Sequence, residues 1–287
     1  MTSTRFRGAL GALATTAALL ALTACGGAAP AGGGGSAGTD DAGSGYVTDG
    51  KLTIATGEPA YYPWVIDDAP ESGEGFEAAV AYAVAEQLGF GEDDVVWVRT
   101  SFEEAIAPGP KSFDFNLQQF SITPEREQNV DFSSPYYETT QVVVSTGASK
   151  AADAASLADL QGLLIGAQTG TTSFTAVEEQ IAPSAGPQAF TTNEDAVLAL
   201  KSGTIDAIVV DLPTAFYLAG VELEDGVLVG QLPETEGTGD AFGLVLPKDS
   251  PLTEDVTAAV DALREDGTLD ELAQEWLADA GDAPVLE

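Results

Sequence analysis

Apolar and polar positions alternate over residues 51–56, which predicts a strand. The loop over 57–64 is broken by Gly57, Pro59 and Pro63 and carries Tyr61, Tyr62 and Trp64. Each of these aromatics either covers the local core or offers a stacking surface, and at least one must face away from the core. Phe76, Val80, Val84 and Leu88 recur at four-residue spacing, which predicts a helix over 74–89 with Gly89 in the left-handed position after its end. Residues 95–98 read as a strand. Ser101, with Glu104 three residues on, caps a short helix that Pro108-Gly109-Pro110 ends. Further strands follow over 113–117, 130–137 and 141–145.

The alternation then restarts. A strand over 163–167 leads through a small polar turn at 168–173 into a helix over 174–181. Asn193 caps a helix through Leu200 that Gly203 ends, and a buried strand over 205–210 delivers Asp211 at its end. Strands over 226–231 and 241–246 precede two amphipathic helices. The first, over 252–265, turns Leu252, Val256, Val260 and Leu263 inward; the second, capped by Thr268 with Glu271 at its third position, buries Leu269, Leu272 and Trp276. Two runs of alternating strand and helix predict an α/β fold with mainly parallel strands, ligands at strand carboxyl ends and a bilobed body.

Composition narrows the chemistry. The 287 residues, 44% of them hydrophobic, suffice for a full core. A net charge of -36 argues against nucleic acid and against docking on an anionic membrane, since both need basic patches. There is no His and a single Cys, which removes imidazole catalysis, His or Cys-cluster metal sites and internal disulfides; neither metal nor cofactor is expected. That Cys sits at an informative place. Arg5 and Arg7 precede an apolar run over 9–22, too short to span a membrane comfortably, and Leu22-Thr23-Ala24-Cys25 resembles the bacterial lipobox. The resemblance implies a lipoprotein signal peptide over 1–24, lipidation of Cys25 and an anchor on the outer face of the cell membrane. The Gly/Ala/Ser-rich stretch over 25–45 reads as a flexible tether.

Candidate chemistry gathers at strand ends: Ser121 with Thr123 and Arg126, Thr171 with Thr172, and Asp211. Each has a plain structural alternative. Arg126 could pair with Glu125 or Asp131, Thr171 could cap its helix, and Asp211 could cap the helix that follows it. Together they form a complementary set, because a guanidinium with helix-terminal N–H groups recognises a carboxylate and an isolated carboxylate recognises an ammonium. Those are the two charges of an α-amino acid.

At this point the motifs carry a family resemblance. Gly75-Phe-Glu77 through Leu88-Gly89, Ser121-Ile-Thr-Pro-Glu-Arg126, Val130-Asp-Phe-Ser-Ser-Pro-Tyr136, Gly170-Thr-Thr172, Gly203-Thr-Ile-Asp-Ala207 with Asp211, and Asp266-Gly-Thr-Leu269 resemble the family 3 solute-binding proteins of polar amino acid ABC importers. The resemblance implies a two-lobed type II periplasmic-binding-protein fold with two hinge crossovers, near 138–141 and 237–242. Lobe one would comprise 46–138 plus 241–287, and lobe two 139–240. By position, Arg126, Ser121, Thr171 and Thr172 would hold the ligand carboxylate and Asp211 its ammonium, with the carbonyl of Gln119 completing that site. Tyr61 and Phe102 match the walls, and Glu58 a position facing the ligand side chain. Gln118-Gln119 stand where many relatives carry small residues, and their side chains face either ligand or core. The implied partners are an amino acid, an ABC permease and, through the anchor, the membrane; the chain would be a monomer. A dehydratase-like enzyme on the same fold and an extracellular amino acid sensor are the alternatives.

Overall fold

The computed structural model describes residues 45–233, 240–277 and 283–287. The expected signal peptide, Cys25 and nearly all of the tether lie outside them.

Two five-stranded sheets organise the chain. The first comprises β1 (Leu52–Gly57), β2 (Val95–Thr100), β3 (Phe115–Asn116), β4 (Val130–Thr139) and β10 (Asp240–Pro247), in the order β2-β1-β3-β10-β4. The second comprises β5 (Gln141–Thr146), β6 (Ile165–Gln168), β7 (Gln188–Phe190), β8 (Ala207–Asp211) and β9 (Gly226–Gln231), in the order β7-β6-β8-β5-β9. In each sheet the first three strands run parallel, and the fourth lies antiparallel to both its neighbours. The sheets are thus mixed rather than mainly parallel. In each, the inserted antiparallel strand is the one that arrives from the other lobe. One crossover is Thr140 between β4 and β5; the other joins β9 to β10, and its residues 234–239 are outside the described set.

Strand periodicity sorts side chains to the two faces of each sheet. Along β5, Val142 and Val144 enter one core while Val143 enters the other, and in β8 Ile208 and Val210 part from Ala207 and Val209 in the same way. In β10, Phe242, Leu244 and Leu246 face one core and Val245 the opposite one. Helices cover these faces: α1 (Phe76–Gln87), α2 (Phe102–Ile106), α7 (Thr253–Glu265) and α8 (Thr268–Trp276) on the first lobe, α3 (Leu157–Leu160), α4 (Thr172–Ala176), α5 (Asn193–Lys201) and α6 (Leu212–Tyr217) on the second. Val80 and Val84 of α1 are buried with Val256 and Val260 of α7, and a buried Leu or Val costs about 2–5 kcal/mol when cut to Ala.

Several local expectations shift. The α5 cap is Thr192, which accepts from Asp195 N at 3.1 Å, so Asn193 is the first helical residue and its side chain is released from capping. Gly267, at φ 89°, occupies the position expected for Thr268 before α8. The short edge strand β7 has no clear apolar period and went unpredicted. Residues 283–287 do not stay with the first lobe: Val285 bridges to Gln231, Leu286 N donates to Gln231 O at 2.9 Å, and Leu286 is buried in the second lobe. The chain therefore leaves α8 on one lobe and ends on the other.

Candidate functional site

The turns that follow β1 and β3, together with the ends of β6 and β8, surround a cavity of about 30 Å³ between the lobes. Tyr61, Phe102, Gln118, Gln119, Arg126, Thr171, Thr172, Asn193 and Asp211 are in its wall. That space holds one or two waters and no amino acid, so this is a closed arrangement that must part to admit one. Closure is made by direct contacts. Trp64 Nε1 donates to Thr214 Oγ1 at 2.9 Å, Thr169 Oγ1 to Glu103 Oε1 at 3.0 Å, and the Tyr62 and Tyr217 rings lie 4.6 Å apart. Of the three loop aromatics, Trp64 is fully buried, Tyr61 lines the cavity and Tyr62 faces outward.

Arg126 opens a single helical turn, with its N–H donating to Thr123 Oγ1 at 3.2 Å, and is only 7% exposed. Its guanidinium donates to Ser121 O at 2.6 Å on one lobe and to Gly170 O at 2.9 Å on the other, and lies 5.3 Å from the Phe102 ring centroid. Neither Glu125 nor Asp131 pairs with it. Asp131 is taken by Lys248 at 3.0 Å and by Thr253. Burial lowers the guanidinium to about 10, against the opposing fields of Asp240, Glu125 and Asp211, so it keeps its charge at neutral pH. Phe102 is held beneath it because Ser101 caps α2, accepting from Glu104 N at 3.3 Å.

Thr171 does cap α4: its Oγ1 accepts from Phe174 N at 3.1 Å and donates to Gln168 O at 2.7 Å. Its hydroxyl is therefore occupied, and what it can offer a ligand is its backbone. Thr172 Oγ1 lies 3.1 Å from Ser121 Oγ across the cleft. Asp211 stands at the cap position of α6 yet its side chain makes no cap bond, so its carboxylate is left to the cavity. It accepts from Gln141 Nε2 at 3.2 Å, and the same amide donates to Asp240 Oδ2. Burial, with Asp240 and Glu77 adding repulsion, raises the Asp211 carboxyl to about 8.

The two glutamines divide. Gln119, at φ 51°, turns its backbone and side chain onto Glu77: its N–H donates to Glu77 Oε1 at 2.8 Å and its Nε2 to Oε2. Tyr136 also donates to Glu77, whose carboxyl burial lifts to about 7. Gln118, also in the cavity wall, leaves its Oε1 without a hydrogen-bond partner. Glu58 is exposed and is absent from the cavity wall, so among the predicted residues it alone is not brought to the site; Ser121 reaches it through Thr172 and the Arg126 guanidinium.

Sequence reasoning passed over Gln168, Ser173 and Asn193 in the wall, and Glu77, Gln141 and Asp240 behind it. A signal existed for the last three. Glu77 is set inside an apolar run and Gln141 and Asp240 at the head of one, and all three are buried, positions that demand a partner.

A family model of bacterial extracellular solute-binding proteins, family 3, matches residues 52–279. The probable histidine-binding protein of Campylobacter jejuni is 32% identical over 232 residues, 78% of this chain and 85% of its own length. The ABC transporter arginine-binding protein 1 of Escherichia coli is 27% identical over 205 residues, 70% of this chain and 81% of its own. An ancestral arginine-binding protein solved with arginine superposes with a TM-score of 0.65 at 30% identity, covering 79% of this chain and 98% of the other. An ancestral amino acid-binding protein, a precursor of cyclohexadienyl dehydratase, gives 0.65 at 30% identity over 79% and 95%. The paired sheets with exchanged strands are the type II periplasmic-binding-protein fold.

Proposed function

Because the chain belongs to the bacterial extracellular solute-binding proteins of family 3, we propose that it is the receptor of an ABC importer that clamps an α-amino acid between its lobes and presents it to a permease. The observation that carries this reading is the placement of the Arg126 guanidinium with the Asp211 carboxyl, which an ammonium would deprotonate, on one interlobe cavity, neither of them in an ion pair among the described residues. The guanidinium takes the ligand carboxylate, with backbone N–H groups at Thr171 and Thr172 and the hydroxyls of Ser121 and Thr172. Asp211 takes the ammonium, and Tyr61 and Phe102 form the walls. A ligand that contacts both lobes stabilises the closed form by what it gains there, and the permease reads that form. Relatives named as arginine-, histidine- and glutamine-binding proteins support an amino acid as cargo.

In this reading the protein works outside the cytoplasm as a monomer, lipidated at Cys25, and catalyses nothing. Thermal unfolding of the full-length protein in mild detergent against the twenty amino acids tests it. A ligand at about a hundred times its Kd adds about 2.7 kcal/mol, and a panel without a hit refutes the assignment. One observation favours a second reading: a carboxyl protonated at neutral pH, as Asp211 is in the closed cavity, is what a dehydratase needs for its general acid, and the ancestral precursor of cyclohexadienyl dehydratase has a similar structure. Conversion of prephenate or arogenate to aromatic product decides for the enzyme.

A further inference from the structure

The carboxyl of Asp211 is held from behind, at the hinge. Asp211 ends β8 directly opposite Gln141, the first residue of β5 after the Thr140 crossover, so the two side chains stand on one face of the second sheet. Gln141 Nε2 donates to Asp211 Oδ1 at 3.2 Å and also to Oδ2 of Asp240, the first residue of β10 beyond the second crossover. Gln141 and Asp240 are both buried, and Gln141 Oε1 has no hydrogen-bond partner among the described residues. An amide that leaves its carbonyl unpaired, at a cost, while its N–H groups go to two acids is oriented by those acids. The other groups around Asp211 act in opposite directions. Asp240 and Glu77 of α1 repel its negative charge, Arg126 attracts it, and Tyr136 and Tyr137 of β4 lie within its field. Besides its own backbone N–H, the Gln141 amide is the donor that Asp211 meets among the described residues.

We propose that Gln141 is a positioning residue of the ammonium site: its amide, fastened to Asp240 on the other crossover, aims the Asp211 carboxylate at the cavity and offsets the repulsion between the two acids. The proposal rests on the amino acid clamp described above and adds what holds and tunes its ammonium acceptor. A hydrogen bond from an amide to a carboxylate is about twice as strong as one to a neutral carboxyl, so Gln141 favours the ionised form that an ammonium requires. Asp240 works against that form by its charge and for it by holding the amide. The junction of the two crossovers is also where turning lobes move least against each other, so an acceptor anchored there keeps its place as the cleft shuts.

The test is isothermal titration of the full-length protein, of Gln141→Met and of Asp240→Asn with whichever of the twenty amino acids the native protein binds most tightly at neutral pH. Each titration runs between about pH 5.5 and 8.5 in two buffers of different ionisation enthalpy, which counts the protons released. Native affinity should climb and level near pH 8, where Asp211 gives up its proton without help. Gln141→Met fills the same space without a donor, so affinity at neutral pH should fall about tenfold or more, and the climb and the proton release should persist above the native levelling point. Asp240→Asn keeps an acceptor for the amide and removes the charge, so levelling should move below about pH 8. Variants that level where the native protein does, however much affinity they lose, make Gln141 a structural strut and overturn the proposal, as do two shifts in the same direction or a flat native profile. Should Gln141→Met not fold, Asp240→Asn decides alone, and an unshifted profile there overturns it. Native protein that binds none of the twenty is a different result and removes the clamp itself.

Discussion

Replacing Arg126 by Met separates a binding role from a structural one, because the two make opposite demands on the empty protein. Burial lowers the guanidinium from the ordinary arginine range to about 10, which at about 1.36 kcal/mol per pH unit is about 3 kcal/mol of penalty left after the attraction of Asp240, Glu125 and Asp211, with no carboxylate paired to it. Against it stand the bonds to Ser121 O and Gly170 O, worth about 1.5–3 kcal/mol each, and the contact with Phe102, about 0.5–1 kcal/mol. Methionine returns about 2 kcal/mol by packing its thioether chain on Phe102. The terms nearly cancel, so the empty variant should stay within about 2 kcal/mol of the native protein, a Tm shift within about 8 °C. Ligand binding has no such compensation. A carboxylate drawn into the cavity without its cation loses about 3–5 kcal/mol, about a hundred- to several thousandfold in Kd. Differential scanning calorimetry without ligand and isothermal titration with it measure the two halves. A fall in Tm beyond about 10 °C with affinity unchanged in the folded fraction would make Arg126 a strut between the lobes and refute the carboxylate clamp.

Three further outcomes follow from the same geometry. Asp211 in the empty protein is protonated below about 8, so capturing an ammonium there expels a proton: affinity should climb by up to about tenfold per pH unit from pH 6 to 8 and then level, and Asp211→Asn should flatten the profile as well as weaken binding, whereas a native profile already flat would sever Asp211 from the ammonium. Glu77 is raised from 4.5 to about 7, above its unfolded value, so the fold favours its protonated form; the empty protein should lose stability as pH rises from about 4.5 through 7, and Glu77→Gln, though less stable by about 1–3 kcal/mol from the mismatched bonds to Gln119 and Tyr136, should lose stability less steeply over that range in urea titrations. Cys25→Ser should move the protein from the membrane to the soluble fraction on cell fractionation, and unchanged partition would dismiss the lipid anchor.

The sequence showed most of the architecture because apolar periodicity is a local signal: Val142, Val143 and Val144 announce a strand buried on both faces without knowledge of their neighbours. What escaped it depended on partners distant in sequence. Asn193 and Thr192 are both competent caps, and only the chain's path into α5 decides between them. Gln118 and Gln119 are chemically identical, and they part because the left-handed turn at Gln119 sends one amide to Glu77, 42 positions away, and leaves the other to the cavity. Glu58 shows the converse: a carboxylate near the right motif whose loop, anchored by Trp64 in the core, carries it outward. For Arg126 the inference was possible in advance, since one of only five arginines in a strongly acidic chain, set in a turn of hydroxyl and amide residues, stands out at the level of composition.

The final residues give the clamp a mechanical limit. Two strand crossovers form an axle about which the lobes can turn, and an axle alone sets no end to the swing. Leu277 is packed in the core of one lobe, and Ala283 accepts from Gln231 Nε2 at 2.7 Å on the other. Six peptide steps join them, a chain of at most about 21 Å at full stretch. While both ends hold, that length acts as a door check: the jaws can part to admit a solute, and they cannot part further than the strap allows.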